Sequence, residues 1–416
     1  MNQKRTTNWS KKKLFLFAAT AILIFFVILE FIFRVIFFFQ YRNLHTSIFI
    51  QGSPLLISDS VLIWKSTPFY VDYDGHFQNN EAGMNSKVGD EFIETKTEKD
   101  FWVLLTGGSA IEGMGSNRNG EWLNITGVDN HPWNETIGFY LQQLLQNSMS
   151  DKRVKVFNAA TVSHTVYQSY LRYLTLSKKM KFDWVISMDG VNDPAMLAAA
   201  ETTSAYCLKD WNENPQFHYP LKLIIPLTRH SALVNAIKQK LFHLKGDYRL
   251  RKNRNNNFPK RKYWASATTR PIKYAAISND ITRGANSFTN WILKYDSALN
   301  SVRQNHLLLI QPQMCFRDTS VLGDAEKAVN NYYRTVFQDS VKQTYLATVY
   351  DFFLKDTLHK NIIPMNSVHY WPGWVFVDYC HFTKEAEKKI AGEIFNYISS
   401  NGGTQIFKKT PAFINK

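Results

Sequence analysis

The hydrophobic pattern divides the chain into three regimes. From position 14 to 29 no charged residue interrupts the apolar run, and apolar side chains continue through 31–33 and 35–39. At about 1.5 Å of rise per residue, that stretch is long enough for a helix to cross a hydrocarbon layer of about 30 Å. The next segment, 41–99, has no long periodic run and is broken by Pro54, Pro68, Gly75, Gly83 and Gly89. It reads as a stalk and a lead-in of short strands, one of them over 71–75. Beyond it, short apolar runs alternate with helix-period segments. Strands are expected over 102–105, 154–158 and 184–188. Helices are expected over 136–146, with Ile137, Tyr140, Leu141, Leu144 and Leu145 on one side, and over 167–179. Such alternation predicts a parallel sheet covered by helices on both faces.

The alternation stops over 195–278 and resumes with a helix over 287–302, a strand over 306–311 and a mainly helical stretch over 326–347. The last strand is expected within 347–353. Thr383 can cap a final helix that turns Ile390, Ala391, Ile394, Phe395 and Ile398 toward the sheet, with Gly402 and Gly403 ending it. The resulting division is a basic N-terminus at 1–13, a transmembrane helix at 14–40, the stalk and lead-in at 41–99, an α/β domain at 100–404 with a basic insertion at about 195–278, and a tail at 405–416.

Charge sets the expected orientation. Lys4, Arg5, Lys11, Lys12 and Lys13 precede the apolar run and place that end in the cytoplasm, so the chain after about residue 40 would lie outside it. A cleaved signal peptide would have an apolar core of about 7–15 residues followed by small residues, whereas large aromatics continue here. Glu30 and Arg34 interrupt the run at a spacing that puts both on one helix face. They read either as a self-neutralising pair near the outer interface or as a docking point for another membrane protein.

The formal charge of +15 and pI near 9.5 raise nucleic acid as a partner. Against that, the basic residues concentrate at the N-terminus and in the insertion, and no nucleic-acid-binding motif is present. The insertion reads as an amphipathic helix near 232–244 followed by a basic loop, either a solvated lid or a surface for anionic glycan or lipid head groups. The cysteines, Cys207, Cys315 and Cys380, make neither a metal-ligand spacing nor a disulfide framework, although a Cys207–Cys315 bridge is open in an oxidising compartment. No cofactor or metal is expected.

Candidate chemistry gathers at three apolar run ends. The strand at 102–105 stops at Thr106-Gly107-Gly108, leaving Ser109 where ligands bind in open α/β sheets. Ser109 is either a nucleophile or an ordinary turn serine. The strand at 184–188 runs into Gly190-Val191-Asn192-Asp193. Near the C-terminus stands Asp378-Tyr379-Cys380-His381-Phe382-Thr383, which supplies a base and a carboxylate to orient it from one loop. Trp122, His131 and Trp133 follow Ser109 in a loop that could border the same place.

Taken in this order, Gly-Gly-Ser, Gly-Val-Asn-Asp and Asp-x-x-His-Phe-Thr resemble the SGNH (GDSL-type) family of serine esterases and acyltransferases, over roughly 102–398. The resemblance implies a flavodoxin-like three-layer α/β/α domain, with Ser109, His381 and Asp378 as catalytic triad. It also implies an oxyanion hole made by the backbone N–H groups of Ser109 and Ser163 and the side-chain amide of Asn192. Ser163 stands where the family uses a glycine; a serine can serve if its backbone needs no positive φ. The implied activity is that of a membrane-anchored extracytoplasmic esterase or O-acyltransferase acting on acyl, notably acetyl, esters of envelope or exported carbohydrate. Transfer would require a multispanning membrane acyltransferase as partner. The alternative from another class is a non-catalytic glycan-binding or assembly module.

Overall fold

The structure is a computed structural model and describes residues 10–41, 56–59, 61–68, 78–86, 95–116, 129–193, 231–234, 274–324, 326–327, 330, 341–400 and 406–407. Most of the insertion, the expected strand at 71–75, Trp122 and Cys207 lie outside the described residues.

Helix α1 (Lys11–Tyr41) is long and apolar enough to cross a membrane, by length and composition. A two-stranded antiparallel hairpin follows, β1 (Leu56–Asp59) and β2 (Ile63–Ser66). The domain proper is then β3 (Asp100–Gly107), α2 (Ser109–Glu112), β4 (Met114–Ser116), β5 (Asp129–Asn130), α3 (Ile137–Ser148), β6 (Arg153–Asn158), α4 (Val166–Ser177), β7 (Trp184–Asp189), α5 (Tyr274–Ser301), β8 (His306–Ile310), α6 (Asp351–Lys355), β9 (Ile362–Pro364) and α7 (Lys384–Ser399).

Strands β6, β3, β7, β8 and β9 lie in that spatial order and pair parallel throughout. In chain order this is 2-1-3-4-5, the flavodoxin-like arrangement, whose crevice opens where the winding reverses beside the first strand. Both faces of the sheet are apolar. Val103 and Leu105 of β3, Ile186 and Met188 of β7 and Leu307 and Leu309 of β8 face α3 and α7. The intervening Trp102, Leu104, Val185, Leu308 and Ile310 face α4 and α5. Period-two alternation of side chains, with every position apolar, is what a sheet covered on both faces requires.

Polar side chains fix where the helices start. The hydroxyl of Thr136 accepts from the Phe139 N–H, Thr165 and Gln168 form a capping box, and Thr383 accepts from Ala386. Glu387 of α7 reaches across to accept the Ile137 N–H at 2.6 Å, joining the two helices on that face.

One expected element is corrected. The stretch 347–353 is helical, with Tyr345, Val349, Tyr350 and Phe353 buried at helix spacing, and the last strand is Ile362–Pro364. Three residues ending in a proline give little period-two signal, and the proline is tolerated because β9 is the edge of the sheet. Helix α5 is also longer than expected, starting at Tyr274 within the expected insertion.

Candidate active site

Ser109 sits at the carboxyl end of β3 because two glycines let the chain reverse there. A Cβ on Gly107 (φ +141) would stand 2.4 Å from the Met188 carbonyl oxygen and 2.6 Å from the Ile111 side chain. A Cβ on Gly108 would stand 2.6 Å from the Asn192 side-chain nitrogen. Any larger residue at either place collides with β7 or with the loop after it. Ser109 opens the short helix α2, which Gly113 ends in the left-handed region (φ +109).

His381 and Asp378 reach Ser109 from a hairpin-like loop. Phe376 bridges Phe382, the Val377 N–H donates to the His381 carbonyl at 2.9 Å, and the Thr383 N–H donates to the Val375 carbonyl at 2.9 Å. His381 Nε2 lies 2.7 Å from Ser109 Oγ, and Nδ1 lies 2.6 Å from Asp378 Oδ2. The second carboxylate oxygen, Oδ1, accepts the N–H groups of Cys380 and His381, each at 2.8 Å. Burial favours the neutral Asp378 acid, but the adjacent His381 and these N–H donors outweigh it and hold the carboxyl below its ordinary range. The structure thus brings Ser109, His381 and Asp378 into one hydrogen-bonded line.

Asp378, Cys380 and His381 also place three metal-ligating atoms within 4.8 Å of one another. Both His381 nitrogens are engaged in the line to Ser109 and Asp378, and burial pushes the Cys380 thiol up toward its protonated form.

Asn192 follows β7 across the crevice from β6. Its Nδ2 donates to the His164 carbonyl at 2.9 Å, holding the amide against Gly108 beside Ser109. Ser163, one residue before His164, has φ +62. The proviso attached to Ser163 is therefore not met: the position demands the left-handed conformation a glycine takes without strain, and the serine adopts it. Asp193 is buried and accepts the Val166 N–H at 3.1 Å, as befits a turn residue that fixes the start of α4.

His164 and His131 are structural. His164 is buried, Nε2 donates to the Trp64 carbonyl at 2.9 Å, and burial brings its pKa down to about 3. His131 is buried near His381, donates from Nε2 to the Phe382 carbonyl at 3.1 Å, and is likewise shifted down by burial. Trp133 packs edge-on against Phe139 with ring centroids 4.8 Å apart, a local anchor.

Several supporting residues carry no recognisable local motif. The β1–β2 hairpin braces the Ser163 loop: Trp64 Nε1 donates to the Val162 carbonyl at 3.0 Å, and Gln168 donates to the Leu62 carbonyl at 2.8 Å. Ser66 donates to Glu112 at 2.8 Å, and its Oγ lies 3.1 Å from the Thr161 hydroxyl, which can donate to it. Glu112, fully buried three residues after the serine, is pushed up to about 8 by burial despite those donors. On the other side, Arg317 and Glu326 form a fully buried ion pair at 2.8 Å. Glu326 accepts the N–H groups of Val375 and Phe376, and Arg317 donates to the Val368 and Gly373 carbonyls. That pair clamps the lead into the Asp378–His381 loop.

No family model matches the sequence, and no curated protein matches it. Among solved structures, the chain is similar to an α/β-hydrolase enzyme from the metagenome of Lake Arreo, at 10% identity and a TM-score of 0.31, covering 73% of this chain and 97% of that one. It is similar to a GDSL-like lipase from Parabacteroides merdae, at 13% identity and a TM-score of 0.29, covering 75% and 99%. A carbohydrate acetylesterase family member from Sinorhizobium meliloti gives 14% identity and a TM-score of 0.31, covering 73% and 100%. At these scores the likeness carries no argument about chemistry, which rests on the chain's own residues.

Proposed function

We propose that the chain is an SGNH-type serine esterase or O-acyltransferase, anchored by α1 with its α/β domain outside the cytoplasm. The observation that carries this reading is the line Ser109 Oγ, His381 Nε2, His381 Nδ1, Asp378 Oδ2, with spans of 2.7 and 2.6 Å. A serine hydroxyl is a weak nucleophile until a base takes its proton. His381 Nε2 is placed to do so as Oγ attacks an ester carbonyl, and Asp378 fixes the ring and stabilises its charged form. The carbonyl π electrons move to oxygen, and that oxyanion needs donors already in position. Asn192 uses one amide hydrogen on the His164 carbonyl and keeps the second for this purpose. The Ser109 N–H is the second proposed donor, and the Ser163 N–H a third that serves only at the cost of its strained left-handed backbone. Collapse of the oxyanion expels the alcohol, protonated by His381, and leaves an acyl-serine.

Water or a sugar hydroxyl then takes the acyl group by the reverse series of steps. The basic residues at the N-terminal end of α1, Lys4, Arg5 and Lys11 to Lys13, favour a domain outside the cytoplasm, where envelope and exported glycans emerge, so acetyl esters of carbohydrate are the proposed substrates. If the acceptor is a sugar, a multispanning acyltransferase would supply the acyl donor.

The test is turnover of p-nitrophenyl acetate by the full chain in detergent. Nitrophenol release should fall by about 10³-fold or more in Ser109→Ala. Equal release by the two proteins would overturn the reading in favour of a binding module.

A further inference from the structure

Glu30 lies within the apolar helix α1, where an unpaired carboxylate is costly. Its oxygens are fully occupied. Oε1 accepts from Arg34 Nε at 2.9 Å and from the Ala232 N–H at 2.9 Å; Oε2 accepts from Ser231 Oγ at 2.7 Å and from the Leu233 N–H at 3.1 Å. These four donors match the four lone-pair directions of a carboxylate. Ser231 Oγ in turn accepts the Val234 N–H at 3.1 Å, so residues 231–234 form a helical turn started jointly by their own serine and by Glu30.

A second observation agrees. Over residues 10–36 every side chain is exposed except Leu29, Glu30, Phe33 and Arg34. Positions 29, 30, 33 and 34 form one stripe of a helix, and Ala232, which meets that stripe, is completely buried. Elsewhere over 14–36 the helix is exposed and almost wholly apolar, as a lipid-facing surface is. Glu30 follows the last lysine of the basic cluster, Lys13, by a rise of about 25 Å at 1.5 Å per residue, near the far boundary of a hydrocarbon layer about 30 Å thick.

We infer that Glu30 latches the chain's own segment 231–234 onto the membrane helix at the outer boundary of the bilayer. The Glu30 carboxylate is thus occupied by donors of this chain itself. The segment belongs to the long connection between β7 and α5, the same connection that begins with the Asn192 loop. The latch thus ties part of the connection that leaves the candidate site to the membrane helix. The inference rests on the membrane-spanning reading of α1.

The test uses the full chain in native membranes, with the photo-crosslinking residue p-benzoylphenylalanine replacing Leu29 or, as control, the exposed Val27. The label at Leu29 should capture the tryptic peptide 230–238, and the label at Val27 should not. Capture from Leu29 should drop about tenfold or more in Glu30→Ala, which loses the charge-assisted hydrogen bonds, and less in Glu30→Gln, which keeps one acceptor oxygen. Capture of lipid or another protein only, or capture indifferent to Glu30→Ala, would overturn the latch. Alkaline carbonate extraction is scored in parallel. Retention in the pellet supports the membrane reading, whereas release overturns that reading and the latch with it, separately from the crosslink.

Discussion

The Asn192 side-chain nitrogen lies where a Cβ on Gly108 would stand only 2.6 Å away. The residue before the serine and the residue across the crevice therefore constrain each other, and Asn192 has nowhere to retreat because its amide is tied to the His164 carbonyl. Gly108→Ala should push the amide out of line with Ser109. The expected loss of turnover is about 10²-fold to 10³-fold, the cost of one oxyanion donor, with the far-UV circular dichroism unchanged. Asn192→Ala should lose a similar amount, and the double variant little more than either single one, because both changes remove the same donor.

Ser163 holds φ +62 without being a glycine. The left-handed conformation costs an L-residue about 1–2 kcal/mol, while glycine's extra chain entropy returns about 0.5–1 kcal/mol of that. Ser163→Gly should therefore raise stability by about 0.5 kcal/mol, with turnover preserved if the main-chain N–H is what matters. Ser163→Val, β-branched, should lower both. Thermal unfolding and p-nitrophenyl acetate turnover of the three proteins check this.

Glu112 gives a pH signature. Burial raises its pKa from 4.5 to about 8, so the folded chain binds a proton that the unfolded chain has released between those values. The stability this supplies is complete below about pH 4.5 and is lost as pH rises toward 8. Asp189, raised by burial to about 6, adds a slope of the same sign that is spent earlier. Glu112→Gln keeps an acceptor for Ser66 and cannot ionise. Its melting temperature relative to wild type should therefore climb from pH 5 to pH 8; a constant difference would contradict the assignment.

Breaking the Arg317–Glu326 pair leaves a charge buried without its partner, since neither side chain is exposed. Arg317→Met and Glu326→Gln should each destabilise by about 3–5 kcal/mol. Glu326→Gln should also loosen the Val375 and Phe376 N–H groups that lead into the His381 loop, lowering turnover at temperatures where the fold persists. Melting curves paired with turnover at low temperature separate the two effects.

Much of this architecture is legible in the sequence because strand ends announce themselves. The runs at 102–105, 154–158, 184–188 and 306–311 are mostly apolar, and each ends at, or within two residues of, a glycine, an asparagine or a glutamine. Ser109 and Asn192 follow such stops closely, and spacing alone joins Asp378 to His381. What brackets them is not legible. Trp64 meets Val162, 98 positions further along the chain, and Ser66 meets Glu112, 46 positions further along, contacts that only the closed fold creates. Likewise Ile362–Pro364 is too short for any periodicity to show, while the buried face of 345–353 follows the helical period.

The most direct test of the account is the covalent one. The full chain, mixed with p-nitrophenyl acetate and quenched in acid, is digested and mapped by mass spectrometry. The account predicts a single acetyl group on the peptide carrying Ser109, absent in Ser109→Ala and in His381→Ala. Acetyl label distributed over lysines alone, or unchanged in Ser109→Ala, would contradict it.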